Sequence, residues 1–323
     1  MRRSIFILLL LAAVQTATAQ INNISGTVKD EKGAPLHFVF VGDNKYKNGA
    51  YTDSLGNFTI PVNSDSELQF DLPGYKDTLI IVNNNTNLQV VLRSSGSSGH
   101  VPASDELAAK PVLQNTGNSS IATIGTGGVI SPSHQKGNTR GNMYLFSTFV
   151  HGFILSSSNR LIYNPNYLFA YDKMSGALLL SSDKQSITEV SHDQTKSFVL
   201  YNNNDERFEF ENVPAIDNSH YLQVLTSGKK YKIYKLIKTK FVRSDYVNNG
   251  VTAHGNDYDE YIDDADYYVL DVQSNQPQKL SLRKKSIKDN FAKDADKVNK
   301  FLSENSGSIN DAYLSKLGAY MNQ

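Results

Sequence analysis

The sequence contains no cysteine and no tryptophan among its 323 residues. The absence of cysteine excludes a thiol nucleophile, a Cys-ligated zinc site and a lipid-modified N-terminal cysteine, and it leaves the burial of apolar side chains to hold the fold together. The 32 basic and 32 acidic residues give a formal net charge of zero. Because phosphate binding depends on a clustered positive excess, this balance argues against a nucleic-acid partner.

Two catalytic patterns are also missing. The seven histidines form neither H-E-x-x-H nor H-x-x-E-H, so the sequence predicts no zinc protease site. The stretch "IGTGGVISPSHQKGN", Ile124 to Asn138, resembles the opening strand of an exported trypsin-like serine protease. That family also needs a suitably flanked histidine and a serine in a glycine-rich turn, and His151 in "FVHGF" lacks the flanking pattern. Protease activity is therefore not predicted.

The N-terminus predicts a signal peptide at residues 1–19. Two arginines precede an apolar run, Ile5 to Val14, which is shorter than the roughly 20 residues that span a bilayer. Ala17 to Ala19 then places small residues at the two positions that a signal peptidase reads, so we expect cleavage after Ala19. We expect an exported protein that is periplasmic, outer-membrane associated or extracellular, with no transmembrane segment after signal cleavage.

Residues 21–93 alternate short strand-like runs with turn signals, which predicts an all-β sandwich. In "YTDSLGNFTI", Gly56 supplies the positive φ of a hairpin turn and Asp53 accepts backbone N–H bonds across it. A calcium loop would need several more oxygen ligands than this stretch offers. Asp53 and Gly56 are therefore predicted to be structural turn residues.

The motifs "ISGTVKDEKGAPL", "YTDSLGNFTI", "LQFDLPGYKD" and "LQVVL" resemble the carboxypeptidase-regulatory-like domain. The resemblance implies a seven-stranded Ig/transthyretin-like sandwich at residues 20–93. This domain type occurs at the N-termini of TonB-dependent outer-membrane receptors and of exported proteins of Gram-negative bacteria, and the resemblance implies an accessory or interaction module without catalytic activity. His37 and Phe38 depart from the family pattern, in which a small residue often follows the leucine.

The rest of the chain is predicted as a flexible linker and a second, β-rich domain. Residues 94–140 form the linker, because they open with a Gly/Ser tract and have little apolar periodicity. Residues 141–323 form an α+β domain with roughly eight to ten strands before residue 283. Capping-box-like patterns at Ser286 and Ser308 predict two C-terminal helices, at 286–304 and 308–321. This part resembles only uncharacterised exported proteins.

A lysine-rich run includes the candidate binding residues Lys230, Lys232 and Lys235. The lysines alternate with tyrosine, isoleucine and leucine, which predicts a strand with one wet face. One interpretation is a solvated or edge strand, where lysine also blocks unwanted pairing. The alternative is a strip that binds anions or lipopolysaccharide, and the zero net charge favours the first interpretation.

The acidic segment "HGNDYDEYIDDADYY", residues 254–268, crowds six carboxylates together, which repel one another unless they are neutralised. The neutralising partner is either the preceding lysine-rich strand, in a hairpin-like pairing, or calcium bound by Asp257, Asp259 and Asp263. The EF-hand pattern is absent, so internal neutralisation or plain solvation of the carboxylates is the preferred prediction. Calcium is the only cofactor that the sequence suggests.

These features predict an exported, non-enzymatic envelope protein with a β-sandwich interaction module, which binds an envelope protein or a surface polysaccharide. The alternative is a glycan-directed hydrolase that uses carboxylates of the 257–266 cluster, since two suitably spaced acids can cleave sugars. A pocket lined by convergent carboxylates would favour the hydrolase, whereas solvated acids would favour the binding protein.

Overall fold

The computed structural model describes residues 22–63, 65–83, 85–95, 109–111, 139–164, 166–181, 186–248 and 252–323. It is mostly β, with 46% strand and 14% helix, as the sequence predicts. The chain divides into two units, residues 1–100 and 101–323. The predicted signal peptide and most of the predicted linker lie outside the described residues.

The front unit is a seven-stranded sandwich, which confirms the predicted fold. Its strands are β1 (Asn22–Asp30), β2 (Phe40–Asp43), β3 (Asn48–Tyr51), β4 (Asn57–Val62), β5 (Glu67–Asp71), β6 (Thr78–Ile81) and β7 (Asn87–Leu92). One sheet has the order β4-β1-β7 and the other the order β3-β2-β5-β6. β1 runs parallel to β7, and the other pairs are antiparallel.

Strict alternation fills the core of the sandwich. In β7 the side chains of Leu88, Val90 and Leu92 are buried and those between them are exposed, and β4 follows the same pattern. Across the core the rings of Phe58 and Phe70 meet edge to face with centroids 5.5 Å apart. Such alternation is what a strand with one buried face requires, because successive side chains point to opposite faces.

The second unit is built on one large sheet. Its strands are β8 (Ala109–Pro111), β9 (Val150–Ser156), β10 (Leu161–Ile162), β11 (Leu168–Tyr171), β12 (Leu178–Ser181), β13 (Thr188–Val190), β14 (Thr195–Tyr201), β15 (Arg207–Glu211), β16 (Leu222–Thr226), β17 (Tyr231–Val242), β18 (Val247–Asn248), β19 (Ala253–His254), β20 (Glu260–Asp271) and β21 (Gln276–Leu280). Within the described residues, the sheet has the order β21-β20-β17-β16-β15-β14-β9-β11-β12-β13-β8, with β10 paired to β9. β18 and β19 pair only with each other.

Two predictions about the second unit need correction. The described residues after 141 contain thirteen strands, more than the roughly eight to ten predicted. Several of these strands are only two or three residues long, so they leave no periodicity to detect in the sequence. The lysine-rich strand β17 is not an edge strand, since it lies between β16 and β20. It pairs with β20 over its full length, from Tyr231 opposite Asp271 to Val242 opposite Glu260.

Three α-helices follow the sheet: α1 (Lys284–Asn290), α2 (Ala295–Glu304) and α3 (Asp311–Met321). The predicted helix 286–304 is therefore two helices, which a 3₁₀ turn separates. At the break, Phe291 is fully buried and its ring packs edge to face on Tyr231, with centroids 4.8 Å apart. The carboxylate of Asp294 accepts bonds from both Lys230 and Tyr231, which fixes the turn against the sheet.

The two predicted capping boxes are wrong. Ser286 lies inside α1, where its Oγ accepts a hydrogen bond from the Ser281 N–H. The N-cap of α3 is Asn310, whose side chain accepts a hydrogen bond of 2.9 Å from the Tyr313 N–H. No helix in the described part of the chain combines the length and apolar character needed to cross a membrane.

Candidate functional site

Asp53 and Gly56 form the turn between β3 and β4. Asp53 Oδ1 accepts the N–H groups of Leu55 and Asn57 at 2.9 and 2.8 Å. Gly56 has φ of +77°, and a Cβ at this position would lie 2.5 Å from the Val28 carbonyl oxygen. Only glycine fits this position without moving the backbone, so the two residues hold the hairpin turn.

Each of the three candidate lysines makes an ion pair with a carboxylate from another element of the second unit. The pairs are Lys230 with Asp294 at 2.6 Å, Lys232 with Glu211 at 3.0 Å and Lys235 with Asp311 at 2.6 Å. The charges that would attract an anion are thus already balanced within the chain. An anion-binding role for these lysines stays a prediction, without support from the geometry.

Three tyrosines reinforce these ion pairs. Their hydroxyls donate to the same carboxylates at 2.6–2.7 Å: Tyr231 to Asp294, Tyr234 to Glu211 and Tyr267 to Asp311. Burial, together with the neighbouring carboxylates, raises the pKa of all three hydroxyls. They therefore stay protonated and act as donors, and the network joins β17 and β20 to β15, to the 3₁₀ turn and to α3.

The structure does not bring the three candidate calcium ligands together. Asp257 is exposed, and the buried Asp259 accepts the N–H of Ser244 at 2.8 Å. Asp263 accepts the Lys173 ammonium at 2.7 and 2.8 Å. Among the described residues, no group of three or more His, Cys, Asp or Glu side chains could hold a metal ion. Calcium binding stays a prediction that this geometry does not favour.

The acidic segment is instead partly neutralised by the chain itself. Asp263 binds the Lys173 ammonium and Asp266 makes an ion pair with Lys279 at 2.7 Å, whereas Lys238, which lies opposite Asp264 in the β17–β20 hairpin, binds Asp217 instead. Of the two cavities discussed below, neither is lined by residues 257–266. Neither of these two cavities therefore supplies, from this segment, the convergent carboxylates that would favour a hydrolase.

A cavity of about 260 Å³ lies among three loops of the second unit. The loops are the β11–β12 turn, the end of β13 with its 3₁₀ turn, and the segment before β16. The lining residues are Ser175, Gly176, Ala177, Leu178, Glu189, Val190, Ser191, His192, Asp193, Asn218, Ser219 and Tyr221. Sequence reasoning missed this site, because the three loops come from distant parts of the chain and carry no shared motif.

The β11–β12 turn shapes one wall of the cavity. Asp172 is buried; its Oδ1 accepts the Met174 N–H at 2.8 Å, and its Oδ2 accepts the Ser175 hydroxyl at 2.7 Å. Gly176 has φ of +76°, and a Cβ there would come within 2.0 Å of the Ser219 carbonyl oxygen. The turn can therefore lie against the loop before β16 only because residue 176 is glycine.

Asp217 fixes the opposite wall. Its side chain accepts the N–H groups of Ser219 and His220 at 2.9 and 2.8 Å, and the Lys238 ammonium at 2.5 Å. Burial opposes ionisation, but Lys238 and the N–H donors outweigh it and lower the pKa of Asp217 below its usual range. The carboxylate is thus ionised at neutral pH, and it holds this loop in place through charge-assisted bonds.

A smaller cavity of about 210 Å³ lies between the edge of the sheet and α1. Its lining includes Asp271, Gln278, Asn290 and Lys293. Lys293 makes an ion pair with Asp271 at 2.7 Å, and Asp289 also lines the cavity. This cavity has less uncompensated charge than the first one.

The front unit offers a different kind of site, the outer edge of β6. On its inner side β6 pairs with β5, and among the described residues no strand pairs with its outer side. Leu79 and Ile81 are 62% and 61% exposed. An edge strand with unpaired backbone groups and outward apolar side chains can accept a further strand.

The other sandwich edges are better protected. The exposed positions of β4 carry Asn57, Thr59 and Pro61, and proline cannot donate to a further strand. β7 exposes two polar side chains and one valine, and β3 is largely buried. The four residues of β6, "TLII", contain none of the charges or prolines that usually protect an edge.

Comparison with known proteins identifies the front unit only. No curated protein matches the chain. Among protein-family models, that of the CarboxypepD_reg-like domain matches residues 24–100, which contain the strands β1 to β7 except the first two residues of β1. The front unit of this protein is therefore a carboxypeptidase-regulatory-like domain, as its motifs indicate.

Proposed function

We propose that this chain is an exported, non-catalytic envelope protein, and that its carboxypeptidase-regulatory-like domain attaches to a partner protein by strand addition at the β6 edge. The second unit then contacts an envelope protein or a surface polysaccharide. The single observation that carries the proposal is the unprotected apolar edge at Thr78–Ile81, on a domain type that is consistent with an interaction module.

Strand addition suits this edge for two reasons. The outward backbone groups of β6 supply hydrogen bonds to any extended segment, which gives affinity without a fixed partner sequence. Leu79 and Ile81, two residues apart, project on the same face and offer apolar contacts that select the partner's side chains. Burial of these two side chains contributes about 25 cal/mol for each Å² of apolar surface removed from water.

Export is supported by the signal-like N-terminus and by the domain type, which is found in exported proteins. The binding function of the second unit is supported by its acidic segment, in which Asp263 and Asp266 bind lysines of the same chain and no residue lines either cavity. These contacts are those of a structural network, and the hydrolase alternative receives no support from them.

Photo-crosslinking in the native envelope tests the proposal. A photoreactive residue replaces Leu79 on the β6 edge, and in the matched control it replaces Val91, which is 56% exposed on the edge of the other sheet. The tagged full-length chain is irradiated in its native cells, purified and analysed by mass spectrometry. We expect one envelope protein to be captured in near-stoichiometric amount from position 79 and much less from position 91.

The variant Leu79→Lys/Ile81→Lys gives the second readout. Two charges on the edge should abolish recovery of the partner, while the melting temperature changes little because both positions are exposed. Equal capture from positions 79 and 91, or full recovery of the partner by the double-lysine variant, would show that β6 is not the attachment edge.

A further inference from the structure

A basic patch covers the outer face of α1 and the residue before it. In the stretch "RKKSIK", residues 283–288, four residues are cationic and none is acidic. The basic patch consists of Arg283, Lys284, Lys285 and Lys288, and all four are exposed. At 3.6 residues per turn, its three lysines fall within an arc of about 100° around the helix. The other side of α1 is anchored by Ile287, which is fully buried.

The cations of the basic patch have no partner within the chain. In the part of the chain that the structure describes, none of the four side chains makes an ion pair, a hydrogen bond or a cation–π contact. Asp289 follows the patch directly, but it lines the small cavity at the sheet edge and pairs with none of them. The nearby Lys279 and Lys293 differ, because each binds a carboxylate. The basic patch therefore presents its full charge to the solvent.

This arrangement costs stability in the folded chain. Lys288 lies four residues after Lys284 and three after Lys285, and like charges at these spacings repel one another on a helix. Lys284 and Lys285 are also the first residues of α1, where a cation opposes the helix dipole, and no acid lies in that turn. A repulsion that nothing in the fold offsets points to a role outside the chain.

The charge of the basic patch is local. Cleavage at the predicted signal site removes Arg2 and Arg3, which leaves 30 basic residues against 32 acidic ones. The mature chain as a whole therefore does not attract anions. Because exposed charges act over only about 8 Å at physiological salt, an anionic partner has to contact the basic patch itself.

The surroundings of the patch indicate the kind of anion. Protein interfaces are poor in lysine and rich in aromatic side chains, whereas the aromatic residue next to α1, Phe291, is fully buried. The apolar neighbour that does reach the solvent is Leu282, which is 40% exposed. A polysaccharide has no apolar layer into which this side chain can insert. A lipid surface offers both phosphate headgroups for the cations and an apolar boundary for the leucine.

We propose that the basic patch docks the second unit on the surface of a membrane that contains anionic phospholipids. Its four side chains contact the phosphate headgroups, and Leu282 enters the interface beside them. Each basic residue close to such a surface strengthens binding about fivefold, so four of them support a reversible attachment and not a permanent anchor. The inference goes beyond the proposed strand addition at β6 and does not depend on it.

Co-sedimentation of the full mature chain with lipid vesicles tests the proposal. One set of vesicles contains phosphatidylglycerol and phosphatidylcholine in equal amounts, and the other contains phosphatidylcholine alone. We expect binding to the first set only, and a loss of binding as the salt concentration rises, because salt screens exposed charges. The variant Arg283→Gln/Lys284→Gln/Lys285→Gln/Lys288→Gln should bind about tenfold more weakly or less. Its melting temperature should not fall, since like-charge repulsion is removed.

The matched control removes four exposed cations elsewhere in the second unit and changes the net charge by the same amount. It is the variant Lys196→Gln/Lys240→Gln/Arg243→Gln/Lys316→Gln. This control measures the general electrostatic attraction of the chain, and we expect less than about a twofold effect on vesicle binding.

A tryptophan reporter locates the contact without removing any charge. The chain has no tryptophan, so the variants Leu282→Trp and Met174→Trp each carry a single one. Met174 is 39% exposed in the β11–β12 turn, which makes it a control for Leu282 at similar exposure. On addition of the anionic vesicles, we expect the emission of Leu282→Trp to shift to shorter wavelength as the ring leaves water, and that of Met174→Trp to stay unchanged.

Preference for the anionic vesicles, loss of binding in the patch variant and an emission shift in Leu282→Trp support the proposal. It is overturned if the chain binds neither set of vesicles or both equally, or if the patch and control variants lose equal affinity. A shift in Met174→Trp without one in Leu282→Trp also overturns it. Binding of soluble alginate without binding of vesicles assigns the basic patch to an acidic polysaccharide and likewise overturns the membrane proposal.

Discussion

The two units of this chain solve the problem of a cysteine-free fold in different ways. The core of the front sandwich consists of apolar side chains on alternating strand positions. The second unit adds a polar layer to its apolar clusters, in which buried tyrosines and half-buried lysines meet carboxylates from other elements. In the small sandwich, the alternation of buried and exposed side chains is sufficient to build the core. The large open sheet with helices also uses ion pairs and hydrogen bonds between side chains that are far apart in the sequence.

The largest expected effect is in the apolar core of the front unit. The variant Phe70→Ala removes a fully buried ring that packs on Phe58, and we expect it to lower the free energy of unfolding of this unit by about 3–5 kcal/mol. The exposed Leu79→Ala should cost less than about 0.5 kcal/mol. Hydrogen exchange of peptides from each unit provides the measurement. An equal loss of protection in both units would contradict the picture of two independent cores.

The second prediction tests the polar layer of the second unit through Asp217. The variant Asp217→Asn removes the counter-charge of the half-exposed Lys238 ammonium and weakens the bonds from the Ser219 and His220 N–H groups, and we expect a loss of roughly 1–2 kcal/mol in that unit at pH 7. Asp264→Asn, an exposed change on β20, is the matched control and should have little effect.

The pH dependence of this difference has a definite sign. The pKa of Asp217 is lower in the folded state than in the unfolded chain, so its contribution is fully present above the unfolded value of about 3.9. That contribution is lost as the pH falls through the lower, folded pKa. The difference between the wild-type protein and Asp217→Asn should therefore be constant from pH 5 to 7 and shrink in acid. A difference that grows in acid would refute the assignment.

The third prediction compares two glycines of the front unit, both with positive φ. Gly56 lies against the Val28 carbonyl, whereas nothing lies within 4 Å of a Cβ built on Gly33. An alanine at either position costs about 1–2 kcal/mol for the left-handed conformation, and only Gly56→Ala adds a clash with the backbone. We expect Gly56→Ala to lower the free energy of unfolding by at least about 1 kcal/mol more than Gly33→Ala does. Equal losses in thermal or urea unfolding would mean that the turn moves to make room.

These glycines also show how much the sequence could predict. The turn at Asp53 and Gly56 and the strands on either side were predictable, because alternation and turn residues act over a few positions. The β17–β20 hairpin was predictable in outline from the basic and acidic segments. The partners of its lysines were not, since Glu211 and Asp311 lie 21 and 76 residues away from Lys232 and Lys235.

The same reason explains why the cavity of the second unit was missed. Its walls come from turns that begin at Asp172 and Asp217 and from the end of β13, and only the fold brings them together. The break between α1 and α2 was missed for a related reason, because the helical periodicity continues through Phe291. What interrupts the helix is a tertiary contact, the bonds of Asp294 to Lys230 and Tyr231.

The smallest expected effect is that of the three paired lysines of the lysine-rich strand on the binding of an external anion. If the ion pairs seen here neutralise Lys230, Lys232 and Lys235, replacing all three by glutamine removes little of the charge that an external anion can reach. We expect less than about a twofold change in affinity for a sulfated polysaccharide at physiological salt. The matched variant Lys229→Gln/Lys240→Gln/Arg243→Gln removes three exposed cations of the same region and should weaken binding more. If the first variant has the larger effect, the three lysines exchange their internal partners for the anion, and the strip is a binding surface after all.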